Sequence, residues 1–133
     1  MPSDIITPTV RLYAGQINGA GIVTNAGFNA AVQCLAGESG AVIYRLAVGT
    51  SDEPLAQTDT MITDAILFPF KSIEYPDYKL LKLNFEIPFE AGVGMGIKEF
   101  GLITVDGRLF ARMLHEPISK GEVQILGHVL IKI

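Results

Sequence analysis

The residues able to do chemistry in this chain are few and widely scattered. His115-Glu116 sets an imidazole beside a carboxylate, a pairing that suits general acid–base transfer. In a polar stretch such a pair is more commonly a solvated surface feature. Asp52, Glu53, Asp59 and Asp64 fall in or beside one segment. They offer the hard oxygens that Ca²⁺ takes, but their spacing matches no calcium loop and they read as turn residues. Gly92-Val-Gly-Met-Gly96 alternates glycine, yet it lies between two strand-like runs. It lacks the further glycine and the helix start that hold a dinucleotide phosphate, so it reads as a flexible turn.

Nucleophilic chemistry finds no better support. Cys34 is the only cysteine, so no internal disulfide forms, and its place in an apolar stripe predicts a buried, inert thiol. No serine, nor Cys34, has a neighbouring histidine to activate it, and no Gly-x-Ser-x-Gly elbow is present. His115 and His128 lack a partner at the spacing a metal site uses. We therefore assign no catalytic, metal or cofactor residues. Glu99 stands out in a different way. It lies between Ile97 and Phe100, in an apolar run, which predicts a half-buried carboxylate paired with Arg108 or Arg112 across a hairpin. Its expected role is structural, in strand register or at a subunit contact.

The elements that must position these residues are mostly strands. Two apolar runs flank Asp106-Gly107, a dipeptide that tolerates positive φ and favours a tight hairpin. A break at 115–121 separates a further run, 122–133, and the simplest arrangement is a three-stranded antiparallel meander. In 79–90, Leu81, Leu83, Phe85, Ile87 and Phe89 alternate with polar neighbours, giving one core face and one solvent face. Residues 41–49 and 64–74 read as strands, the second an edge or bulged one because of Pro69. Tyr75 to Tyr78 reads as a turn. Residues 10–14 form a short strand, and 15–21 reads as a Gly-rich loop.

One helix is predicted, over 24–36. Phe28, Ala31, Val32 and Leu35 recur at helical spacing and should lie on a sheet, with Thr24 or Asn25 at the start and Gly37 at the end. Thr50 to Thr63 forms a long polar loop, of the length that is often functional or packed on a neighbour. The predicted fold is mainly β: an antiparallel β-sandwich of six to seven strands with one α-helix packed on it. Residues 1–20 form an N-terminal arm and first short strand, and 21–133 a single β-sandwich domain.

The totals narrow the function classes. The chain has 133 residues, 49% hydrophobic and 18% charged, with a net charge of −4. That is enough for one core, and the apolar excess points to buried subunit interfaces. No basic cluster is present, which argues against a nucleic-acid partner. No run reaches the ~20 apolar residues of a membrane span. The first residues, Met-Pro-Ser-Asp, lack a basic region followed by an apolar core, so no cleaved signal is expected.

Three segments together resemble a known group. They are Leu46-Ala-Val-Gly-Thr-Ser-Asp-Glu-Pro54, Gln57-Thr-Asp-Thr60, and Lys98-Glu-Phe-Gly-Leu-Ile-Thr-Val-Asp-Gly-Arg-Leu-Phe-Ala-Arg112 with Pro117-Ile-Ser-Lys120. The pattern is similar to small structural proteins of tailed bacteriophages and prophages, described as tail, tail-fibre or baseplate associated. The final strand departs from that group: 124–133 is nearly all aliphatic, and the chain has no Trp.

The resemblance implies a non-enzymatic virion structural protein, made in the host bacterial cytoplasm and located in the virion. Its partners would be other virion proteins and itself, as a homo-oligomer with a trimer favoured. The candidate interface residues are Thr50, Asp52, Asp59, Glu99, Ile125, Val129 and Ile131. A capsid decoration protein is a close variant. A host-surface or carbohydrate-binding module, using loop 50–63 with Tyr75 and Tyr78, is the alternative from another class. A small hydrolase ranks last.

Overall fold

Period-two alternation organises the chain, and each alternating run becomes a strand whose apolar face turns inward. The computed structural model describes residues 9–14, 17–121 and 124–133. The strands are β1 (Thr9–Ala14), β2 (Ile17–Val23), β3 (Ile43–Gly49), β4 (Ile66–Pro69), β5 (Ser72–Asp77), β6 (Leu80–Ile87), β7 (Met95–Thr104), β8 (Leu109–Lys120) and β9 (Ile125–Lys132). Helix α1 (Asn25–Leu35) and a single 3₁₀ turn (Ser39–Ala41) lie between β2 and β3.

All nine strands belong to one antiparallel sheet, in the order β4-β3-β7-β8-β2-β1-β9-β6-β5. The sheet curls into a half-barrel, so its two ends face one another across a shared core. Leu46 and Val48 of β3 and Phe100 and Leu102 of β7 meet Leu83, Phe85 and Ile87 of β6 and Val129 and Ile131 of β9 there. The rings of Phe85 and Phe100 lie 5.9 Å apart, centroid to centroid, across that interior. The expected six- to seven-stranded sandwich is thus replaced by one continuous sheet. Two opposed layers do exist, but β2 and β1 carry the hydrogen-bond ladder from one to the other.

That bridge overturns two local expectations. Residues 15–21 read as a loop, yet Ile17–Val23 is a strand, and the boundary placed at residue 20 falls inside it. Its glycines are what hid it. A Cβ at Gly21 would collide with the Met113 side chain and the Arg112 carbonyl, so β2 lies closer to β8 than a side chain allows. The three-stranded meander also fails at its last step. β7 and β8 form the expected hairpin, with Gly107 at φ +90°, but β9 pairs with β1 and β6 instead of β8. β8 runs on through Pro117, where the expected break becomes a register shift opposite β7 between Ile97 and Glu99.

The remaining strands differ in detail. The single run read over 64–74 divides into β4 and β5, the two edges of the sheet, and Tyr75 to Asp77 belongs to β5 instead of a turn. Only Phe70 and Lys71 separate these edges in the chain. The half-barrel is therefore closed at that point by covalent chain and not by a ladder. Of the expected arm at 1–9, residues 1–8 lie outside the described residues, and Thr9 opens β1.

Helix α1 forms where its signals place it. Thr24 caps it: the Thr24 hydroxyl accepts from Gly27 N–H at 2.9 Å and donates to the Leu109 carbonyl at 2.5 Å. The buried face is another matter. Gly27 and Ala30 are buried, while Phe28, Val32 and Leu35 are exposed, Leu35 by 90%. The helix is rotated by about a quarter turn from the predicted stripe. Its small residues face the sheet because the backbone comes in close: a Cβ at Gly27 would overlap the Phe110 carbonyl. Cys34, expected to be buried, is exposed although it shares the Gly27–Ala30 side of α1; it lies in the last turn of the helix, and its Sγ–H points at the Ala41 carbonyl at 3.2 Å.

Candidate functional site

Two features lie outside the main core. The first is a charged cluster under loop 50–63, on the opposite sheet face from the main core. Loop 50–63 begins where β3 ends, and its base is closed by Thr50 N–H donating to the Thr63 carbonyl at 3.3 Å. Ile62 folds back beneath the loop onto Ala47 and Leu109. Room for it comes from Gly49 and Gly101, where any Cβ would strike Ile62.

Arg112 stands at the centre and is 3% exposed. Its Nε donates to Glu99 Oε1 at 2.9 Å. Its Nη1 donates to Asp59 Oδ2 at 3.1 Å and to the Glu53 carbonyl at 3.0 Å. Glu99 is fully buried, and its Oε2 accepts the Ser51 and Thr63 N–H groups at 2.7 and 3.2 Å. Asp59 also accepts the Ala56 N–H at 3.0 Å. Burial alone would lower the Arg112 pKa, but Glu99 and Asp59 outweigh it and hold the guanidinium more firmly charged than usual. The cluster therefore ties both ends and the middle of the loop to the β7–β8 hairpin.

Of the two partners expected for Glu99, the structure selects Arg112. Arg108 turns to Asp106 instead, at 2.9 Å. The acidic residues of loop 50–63 do not converge on one point. Asp59 meets Arg112, Asp52 lies exposed at 3.8 Å from Lys98, and the Asp64 carboxylate lies 3.5 Å from the Thr50 hydroxyl. Among the described residues, no three of His, Cys, Asp and Glu are grouped to hold a metal. His115 is buried edge-on to Phe100, with Nδ1 2.7 Å from the neighbouring Glu116 carbonyl. His128 stacks on Tyr13 at 4.8 Å, on β9. Burial, then Lys82, lower the His128 pKa against the pull of Glu74.

The candidate interface residues divide in two. Thr50, Asp52 and Asp59 lie on the loop, at least partly open to solvent. Glu99, Ile125, Val129 and Ile131 are buried within the protomer. The aliphatic last strand is spent on the chain's own core, because β9 is an inner strand between β1 and β6.

The second feature is a cleft of which the sequence shows only the tyrosines. An apolar cleft of ≈ 650 Å³ opens where β3 and β5 diverge beyond the Phe70-Lys71 link. Ala31 and Cys34 of α1, Val42, Ile73 and Leu81 line it, with Tyr75 and Tyr78 at its mouth. Asp77 and Lys79 are the charged residues of its lining. The two tyrosines are 79% and 81% exposed. The sequence marks Tyr75 and Tyr78 as candidate glycan contacts, but not the cleft that lies between them and α1.

Comparison of the chain with protein families, curated proteins and solved structures returns no match. Among the described residues, no helix is long and apolar enough to cross a membrane.

Proposed function

We propose that the chain is a non-enzymatic bacteriophage virion structural protein, an assembly component of a tail, baseplate or tail fibre. It acts as a symmetric homo-oligomer in contact with other virion proteins, and it is made in the host bacterial cytoplasm. One observation carries this reading. The segments behind the resemblance fall in two stretches about 40 residues apart, the 46–60 stretch and the β7–β8 hairpin, and these meet at one point: Ser51, Glu53 and Asp59 join Glu99 and Arg112 in a single charged cluster. What the pattern keeps together is thus a loop clamp. Its carboxylates are engaged in holding backbone N–H groups and a guanidinium, which suits a rigid contact loop better than proton transfer.

A host-surface or carbohydrate-binding module is the second reading, favoured by Tyr75 and Tyr78, whose exposed rings could stack on sugars. Capsid decoration is a variant of the first. The test is to induce particle production in the strain that encodes the chain, band the particles, and search them by mass spectrometry. The chain is expected in the particle band, and its deletion should lower infectious titre. A chain found only in the soluble lysate, with titre unchanged on deletion, would sink the virion reading. Retention on a glycan surface, lost on Tyr75→Ala, would favour the second.

A further inference from the structure

We infer that the cleft face is a two-fold interface, in which a second copy of this chain seats its α1 stripe and tyrosine rim in the cleft of the first. The inference rests on the self-assembly part of the reading above and is independent of where the assembly is used. Consider first how the face is built. On a helical wheel, Cys34, Ala31, Leu35, Phe28 and Val32 fall in sequence over about 160°. Cys34 and Ala31 line the cleft, so the exposed stripe is continuous with its wall. Across the mouth stand Ile73, Tyr75 and Tyr78 of the edge strand and its turn.

Size comes next. Val32, Leu35, Val42, Ile73, Tyr75 and Tyr78 are between 48% and 90% exposed. Together they present about 750 Å², taking about 150–210 Å² for each whole residue. Phe28 and Ile133, also exposed, extend the margin. A stable interface takes about 800 Å² from each partner, so the residue surface on this face is close to the required size.

The choice of a second copy follows from shape and charge. A two-fold axis requires a surface that fits itself, with projections and hollow side by side. Here the projecting Leu35 and Tyr78 flank a hollow large enough to receive them. The rim is also balanced in charge, since Asp77 and Lys79 lie on either side of Tyr78. Turned about a two-fold axis, each acid can face the other copy's base. This pairing replaces the trimer favoured from sequence, which would need two different, complementary faces.

The test is light scattering of the full chain on a sizing column over a range of concentrations, with Leu35→Glu and Tyr78→Glu as variants. Both sites are so exposed that the fold should survive, which a thermal melt checks. Leu126→Glu is the control: Leu126 is exposed on β9 but does not line the cleft. The wild-type chain and the control should run at twice the 14.3 kDa of one chain. The two cleft variants should run as monomers, with dissociation raised at least ~30-fold. Reaction of Cys34 with a maleimide should slow as wild-type concentration rises, and should not do so in Leu35→Glu. An oligomer that survives both variants would overturn this face while leaving self-assembly standing, and a trimer would overturn the two-fold axis. A wild-type monomer at every concentration would overturn the interface and the self-assembly reading together. Glycan binding by that monomer would then reassign the tyrosines.

Discussion

Arg112 Nε lies 2.9 Å from Glu99 Oε1, although the two residues are not opposite one another in the β7–β8 ladder. Glu99 faces Leu114, and Arg112 faces Gly101. The guanidinium thus reaches diagonally along the sheet, two pairs along the ladder to the next pair on the same face, and the bare Cα of Gly101 leaves Ile62 room beside it. A diagonal pair of this kind lets two strands hold a third segment, here loop 50–63, that neither could hold alone.

Cutting that pair at one end should be costly. Arg112→Met leaves the Glu99 carboxylate buried with no cation, and the expected loss is about 3–5 kcal/mol in urea unfolding. Glu99→Gln in the same chain should recover part of it, because a neutral amide oxygen still accepts the Ser51 and Thr63 N–H groups. A loss below about 1 kcal/mol for Arg112→Met would mean the loop is held by Ile62 alone.

Thr24 does two jobs, and its substitutions should separate them. Thr24→Ala removes the cap on Gly27 and leaves that N–H without its acceptor, for an expected loss of about 1–2 kcal/mol. Thr24→Ser keeps the hydroxyl and should cost well under half as much. Equal losses in thermal or urea melts would show that the methyl packing matters and the cap does not.

Gly27→Ala tests the close approach of α1 to the sheet. Helix propensity alone favours alanine by about 1 kcal/mol. The Phe110 carbonyl occupies the space the methyl needs, so the substitution should instead destabilise, by about 1–3 kcal/mol. A rise in melting temperature would show that the helix can lift away without loss.

His128 should give stability a dependence on pH. Its folded-state pKa lies below the ordinary 6.5, so the unfolded chain takes up its proton first. This contribution is complete above pH 6.5 and is lost as pH falls from there through the folded pKa. Against wild type, His128→Gln should show a flatter stability profile between pH 7.5 and 5 in urea titrations. Parallel profiles would mean that burial and Lys82 do not favour the neutral ring in the folded chain.

What could be read from sequence was what depends on neighbours along the chain. The Asp106-Gly107 hairpin, the alternation of Leu81 to Ile87 and the Thr24 cap are local, and each appears as expected. Phe89 breaks the alternation only because the strand ends at Ile87 and a turn begins at Pro88. The pairing of Glu99 was legible because a carboxylate in an apolar run needs a cation, and only two arginines stood across the hairpin. The failures share a cause too. β2 was unreadable because its glycines serve close contact with β8, and sequence shows a glycine's freedom but not its crowding. The α1 stripe misled because helical spacing reports a continuous apolar face without saying what covers it. The partners of β9 depend on β1, which no local pattern reveals.

β1 lies between β2 and β9, with Leu12 opposite Val129. The sheet cannot become continuous until its two most distant segments have met. Nearly every earlier strand can be synthesised while β1 still has one bare edge, and closing that edge means ordering a loop almost as long as the chain. High contact order of this kind makes folding slow. A nascent chain would hold an unpaired strand edge throughout that wait, open to another ribosome's product or to a chaperone. The timing of β9 relative to the rest of the sheet would then set the yield of folded chain.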